Sequence, residues 1–152
     1  MPIRILAVGK KHESWVAEGI ERYEKRLKQP YACEWMLLPH SSREGATARQ
    51  EESQRLQERM KPDDFVVLLD ERGTLYDSPG LSKLLEVPLS RSQHICMVIG
   101  GAYGVDDTIH TRANTVWSLS PLVFPHQLVR LLLIEQVYRA QEISGGKPYH
   151  HQ

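Results

Sequence analysis

Four stretches of this chain carry residue types whose spacing suits chemistry rather than mere connection. Leu69 and Asp70 precede Glu-Arg-Gly, Gly100 and Gly101 follow the apolar run ICMVI, an apolar loop reads LSPLVFP, and the chain closes on GGKPYHHQ. Gly100 and Gly101 lack Cβ atoms, so main chain there can come close to a ligand or take positive φ without a clash. The pair equally suits a plain tight turn between strand and helix. It does not have the G-x-G-x-x-G spacing, and the chain has no P-loop. The loop of Leu119, Ser120, Pro121, Leu122, Val123 and Phe124 is more telling, because a loop crossing a surface is ordinarily polar. An apolar one needs a cover, and its amides and carbonyls need partners. The hydrogen-bonding edge of an adenine meets both needs; so does packing under a neighbouring subunit. At the end of the chain, Lys147, Tyr149, His150 and His151 combine a cation, an aromatic ring and imidazoles, a set suited to an extruded nucleotide or to nothing more than a frayed terminus. The paired histidines make no metal site, since no Cys, other His or acid has supporting spacing. Cys33 and Cys96 form no C-x-x-C pair, so reduced, buried thiols are expected.

Such segments have to be positioned by a framework. Short runs rich in Val, Ile and Leu alternate with longer stretches of helical period, which predicts an α/β domain with a parallel sheet. Residues 3–8 form the first run, and residues 13–28 follow as an amphipathic helix with Trp15, Val16, Ile20, Tyr23 and Leu27 on its apolar face. A strand over residues 34–38, a mobile loop over 40–47 and a helix over 48–60 come next. Residues 65–69 and 95–99 are continuous apolar runs, which predicts adjacent central strands covered on both faces. Short helices over residues 79–86 and 106–112, a strand over 116–119 and a long helix over 126–144, stopped by Gly145 and Gly146, complete the reading. Ligands of open α/β sheets bind beyond the carboxyl ends of the strands. The loops after residues 69, 99 and 119 are therefore expected to share one pocket.

Length and composition set the limits. A chain of 152 residues suits a single domain spanning residues 1–152, and 41% hydrophobic with 25% charged residues is ordinary globular composition. Nineteen basic and nineteen acidic side chains cancel, so contact with nucleic acid would need a local basic patch. The short first apolar run is no secretory signal, and nothing approaches the roughly 20 apolar residues of a membrane span, so a cytoplasmic location is expected. The helix over 126–144 places Leu128, Leu131, Leu132, Ile134 and Val137 over more than one face, which predicts a homodimer. Glu135 and Arg139, four apart, should pair along that helix.

Taken in order, IRILAVGK, LLDERG, VIGGAYG, LSPLVFPHQLVR, EQVYRA and the terminal PYHH resemble the ribosomal RNA large subunit methyltransferase H family of the SPOUT class over essentially the whole chain. The resemblance implies a Rossmann-like domain whose carboxyl-terminal part forms a deep trefoil knot, a rarity among folds, and a homodimer. It implies S-adenosylmethionine as cofactor, held at Leu69, Gly100, Leu119, Ser120, Pro121, Leu122, Val123 and Phe124. The implied substrate is N3 of a pseudouridine in 23S ribosomal RNA of the large subunit, with Tyr149 and His150 as catalytic residues beside the target nucleotide. His151 stands where the family commonly has arginine, and it supplies charge only when protonated. Two other readings fit the residues: a nucleotide-binding module using Gly100 and Gly101 as an anion loop, and a ribosome-associated interaction protein whose LSPLVFP loop packs at a dimer interface.

Overall fold

The computed structural model describes residues 3–147. Five parallel strands, β1 (Ile3–Val8), β2 (Cys33–Leu38), β3 (Phe65–Leu75), β4 (Ile95–Ile99) and β5 (Thr115–Ser118), form one sheet in the order β2-β1-β4-β3-β5. The helices are α1 (Ser14–Glu24), α2 (Gly45–Gln57), α3 (Ser78–Ser90), α4 (Asp107–Arg112) and α5 (His126–Ser144). Successive strand side chains point to opposite faces, and the core divides accordingly. Odd-numbered Ile5, Ala7, Val67, Met97 and Ile99 pack with Val16 and Ile20 of α1, Leu81 and Leu85 of α3, and Leu133, Ile134 and Val137 of α5. Even-numbered Leu6, Val8, Val66, Leu68, Cys96 and Val98 pack with Leu56 of α2 and Ile109 of α4. All of β4 is buried, as an apolar run clad on both faces must be, and it lies beside β3 with Val67 opposite Met97.

The element boundaries differ from the sequence reading in instructive ways. Helix α1 stops at Glu24, where Arg26 and Leu27 donate to the carbonyls of Tyr23 and Glu24 in tighter turns that still leave Leu27 in the core. Helix α2 starts at Gly45, inside the stretch read as loop. Helix α3 continues past Pro88 to Ser90, because Leu85 and Pro88 are both buried, and the Asp77 carboxylate caps its start by accepting from the Gly80 amide at 2.8 Å. The largest difference is in β3, which does not end at Leu69. Its pairing with β5 jumps register: Leu69 and Thr74 both face Trp117, and residues 70–73 are pushed out as a bulge.

Glu135 and Arg139 form the ion pair that their spacing predicts. Cys96 is buried and Cys33 half-buried; burial pushes the Cys96 thiol up to about 11 and raises that of Cys33 further. Among the described residues no helix is long and apolar enough to cross a membrane.

Candidate functional site

Because all five strands are parallel, their carboxyl ends share one edge of the sheet, and the segments after β4 and β5 meet the β3 bulge there. They enclose a cleft of about 430 Å³, within the range of roughly 300–1,000 Å³ typical of small-molecule sites. Leu69, Gly100, Leu119, Ser120, Leu122, Val123 and Phe124 line it, together with Asp70, Glu71, Arg72, Gly101 and His126. Pro121, expected with its neighbours, is not among the lining residues. Tyr149 and His150 lie outside the described residues.

The turn after β4 is built tightly against its own surroundings. The Gly104 amide donates to the Gly101 carbonyl at 3.0 Å, with Gly104 at φ +74. A Cβ on Gly100 would lie 2.9 Å from Val105 Cγ1, and one on Gly101 would lie 2.6 Å from Glu52 Oε1. The missing Cβ atoms thus serve the turn itself, and it is the turn's backbone that borders the cleft. Helix α4 follows at once, its amides at Thr108 and Ile109 already taken by Asp106 Oδ1 at 3.1 and 3.4 Å.

After β5, the Ser118 hydroxyl donates to the Ser120 carbonyl and the Leu122 amide donates to Ser120 Oγ, both at 3.0 Å. This folds the loop back on itself and turns Leu122 and Val123 outward, 69% and 77% exposed. The tip of the apolar loop is therefore left uncovered by the other described residues. Opposite it, the bulge supplies a charged lip. Asp70 pairs with Arg72 at 3.0 Å and lies 3.4 Å from His110 Nε2. Its hydrogen bond with Arg72 holds the carboxyl below the usual range, aided by the Arg72 and His110 charges and opposed by burial.

The fourth wall is the start of α5. His126 is exposed to the cleft, while Arg130, one turn on, is 1% exposed. The Arg130 guanidinium donates to the Lys10 carbonyl at 2.8 Å and meets His12 Nδ1 at 3.3 Å. Loss of water on the side of the ring that faces the protein, then the Arg130 and His40 charges, pull the His126 pKa down against Glu52. Glu52, 3% exposed on α2, accepts from the Ser41 amide at 2.9 Å and lies 4.0 Å from His40 Nδ1. The sequence reading did not single out His126, although it directly follows the LSPLVFP loop; the only signal was that position. Among the described residues no cluster of His, Cys, Asp or Glu could hold a metal ion.

A family model described as "Predicted SPOUT methyltransferase" matches residues 1–150. The "Ribosomal RNA large subunit methyltransferase H" of Desulfitobacterium hafniense (strain DSM 10664 / DCB-2) is 37% identical over 158 residues, covering 99% of this chain and 99% of that one. The protein of the same name from Synechococcus sp. (strain RCC307) is 43% identical over 148 residues, 97% of this chain and 93% of that one. A solved structure, the SpoU methyltransferase AviRb from Streptomyces viridochromogenes in complex with the cofactor AdoMet, aligns with a TM-score of 0.47 and 13% identity. That alignment covers 93% of this chain and 58% of the other, a likeness too slight to bear on the site.

Proposed function

The chain belongs to the SPOUT methyltransferase family, and on that premise we propose that it transfers the methyl group of S-adenosylmethionine to N3 of a pseudouridine in 23S ribosomal RNA of the large subunit. The cleft at the carboxyl edge of the sheet carries the reading. Its apolar side, Leu69, Leu119, Leu122, Val123 and Phe124, suits an adenosine, and its volume suits a molecule of that class. The Asp70 carboxylate, kept ionised at neutral pH, favours a cationic ligand over a phosphate at the lip. A nucleotide-binding module would use Gly100 and Gly101 as an anion loop, but the amides that follow them at Gly104, Thr108 and Ile109 are already engaged by the Gly101 carbonyl and by Asp106.

When bound, the cofactor supplies a methyl carbon activated by its sulfonium. The chain's share is positional: it holds the donor, keeps water away from it and presents the base in line. The neutral base carries a proton on N3, so a group in the site has to accept it. Tyr149 and His150 are proposed to orient the target base, in a single domain spanning residues 1–152 with a carboxyl-terminal trefoil knot. A homodimer is part of the proposal, because a second copy would cover Leu122, Val123 and the half-buried Leu128 and Leu132 of α5. The enzyme would work where ribosomes are, in the cytoplasm.

Incubation with tritiated S-adenosylmethionine and either isolated large subunits or whole ribosomes, followed by mapping of the label, tests reaction and substrate together. Label on N3 of a 23S pseudouridine is expected. Binding of nucleotide phosphates in preference to S-adenosylhomocysteine would favour the nucleotide module. Ribosome binding without cofactor binding would favour the interaction protein.

A further inference from the structure

Among the described residues, four titratable side chains line the cleft: Asp70, Glu71, Arg72 and His126. Asp70 is engaged by Arg72 and His110, which makes it a poor proton acceptor. Arg72 is permanently charged, and Glu71 is exposed to solvent on the bulge. His126 differs from all three, since neither of its ring nitrogens has a hydrogen bond to another described residue, although it stands at the cleft wall on the first residue of a long helix.

Resting on the function proposed above, we propose that His126 accepts the N3 proton of the target base. The N3–H bond gives its proton to a ring nitrogen of His126, and the electron pair left on N3 forms the bond to the methyl carbon. The C–S bond breaks with its pair going to sulfur, which ends as a neutral thioether. The imidazolium then passes its proton to water.

The groups facing His126 favour this cycle. Arg130, one turn along α5, is a cation fixed by Lys10 and His12, and it opposes a second positive charge on the neighbouring ring. His40, from the segment after β2, acts in the same direction, and Glu52 of α2 acts against both. Partial burial of the ring first, and then these charges, hold its pKa below the ordinary value, so at neutral pH the ring is an open acceptor, and once protonated it is driven to release the proton.

The test replaces His126 with asparagine in the full chain, with His126→Gln as a second variant and circular dichroism to verify folding. Affinity for S-adenosylhomocysteine and for ribosomal substrate should stay within a few-fold of wild type. The single-turnover methylation rate at neutral pH should fall by about 100-fold or more, the usual size of a lost general base. Wild-type rate should level off above the ring pKa, whereas the variant's should keep rising into the alkaline range. In the cofactor-free wild type, nuclear magnetic resonance should find the ring neutral at neutral pH. A near-normal variant rate, a loss equal at every pH, a loss of S-adenosylhomocysteine binding, or a ring protonated at neutral pH would each overturn the role. Wild type that binds no S-adenosylhomocysteine would defeat the proposed function first, and this role with it.

Discussion

Replacing Gly73 with alanine puts a methyl group where the sheet has no room for one. Its Cβ would lie 2.5 Å from the Val116 carbonyl oxygen, 2.6 Å from the Val116 carbonyl carbon and 2.9 Å from the Trp117 nitrogen. All three are backbone atoms of β5, so no side-chain rotation relieves the contact. Either β5 backs away from β3 or the bulge swings outward. Overpacking by a methyl group costs about 1–3 kcal/mol where the surroundings can adjust, and rigid backbone on the receiving side points to the upper end, about 3 kcal/mol. For a chain of this size that corresponds to a fall in Tm on the order of 6–12 °C. Gly73 also anchors the segment that carries Asp70 and Arg72, so part of the strain should be shed by displacing the charged lip of the cleft. If half is shed that way, affinity for S-adenosylhomocysteine falls about tenfold. Thermal unfolding and calorimetric titration measure the two effects. Gly45→Ala is the control: nothing lies within 4 Å of its Cβ position, and at φ +58 it should cost only about 1–2 kcal/mol of backbone strain, with cofactor affinity unchanged. An unaltered Tm in Gly73→Ala would refute the contact. A destabilised variant with normal affinity would refute the link between bulge and cleft.

Three further outcomes are expected. Deleting residues 149–152 should abolish methylation of ribosomes while S-adenosylhomocysteine still binds, because the cleft is lined by earlier residues; a truncated protein working at the full rate would make the tail a frayed terminus. Analytical ultracentrifugation at micromolar concentration should give twice the 17.5 kDa chain mass, and a clean monomer would remove the second copy proposed to cover Leu122 and Val123. Asp70, whose folded pKa lies below its ordinary 3.8, contributes stability that is present above the unfolded value and lost as pH falls through the folded one. Urea midpoints of wild type and Asp70→Asn should therefore differ by a constant small amount from neutral pH down to about pH 5 and converge below it; a gap that persists in acid would contradict the Arg72 pairing.

Much of the framework is legible in the residues because it follows from local periodicity. The runs IRILAV, FVVLL and ICMVI announce buried strands, and the helix over residues 126–144 has the bounds that its pattern and the following glycines imply. That the segments following residues 69, 99 and 119 surround one cleft follows from parallel topology, which sends the strand ends to the same edge, even though the first of them proves to be a bulge inside β3. The bulge in β3 is not legible, because its cause is the approach of Gly73 to β5, a contact between segments far apart in sequence. Helix α2 is legible as a helix over residues 48–60, but its early start at Gly45 and its buried polar face are not. Glu52 and Ser53 are buried in a polar sequence, where they accept hydrogen bonds from the Ser41 and Asp106 amides and so pin two loops that periodicity cannot see. His126 escaped notice for the same reason: what singles it out is the partial burial of its ring and, beside Arg130 of its own helix, the His40 and Glu52 that only folding brings to it.

Helix α5 also governs the order in which the molecule can come into being. Its Arg130 reaches Lys10, its Gln127 accepts from the Glu13 amide, and its Gln141 accepts from the Lys28 amide while donating to the Arg26 carbonyl, contacts spanning 113 to 120 residues. Leu133, Ile134, Val137 and Ala140 complete the odd-numbered layer of the core. A growing chain can dress the even-numbered face with α2 and α4 as they emerge, yet the opposite face of β1 and β4 stays partly bare until the last helix is made. Such long-range closure slows folding, and bare apolar strands are prone to wrong association while they wait. The helix that seals the core is also the one that begins with His126 at the cleft wall. A chain abandoned before that point during synthesis has neither a closed core nor a finished site, so stable folding and chemical competence arrive in the same step.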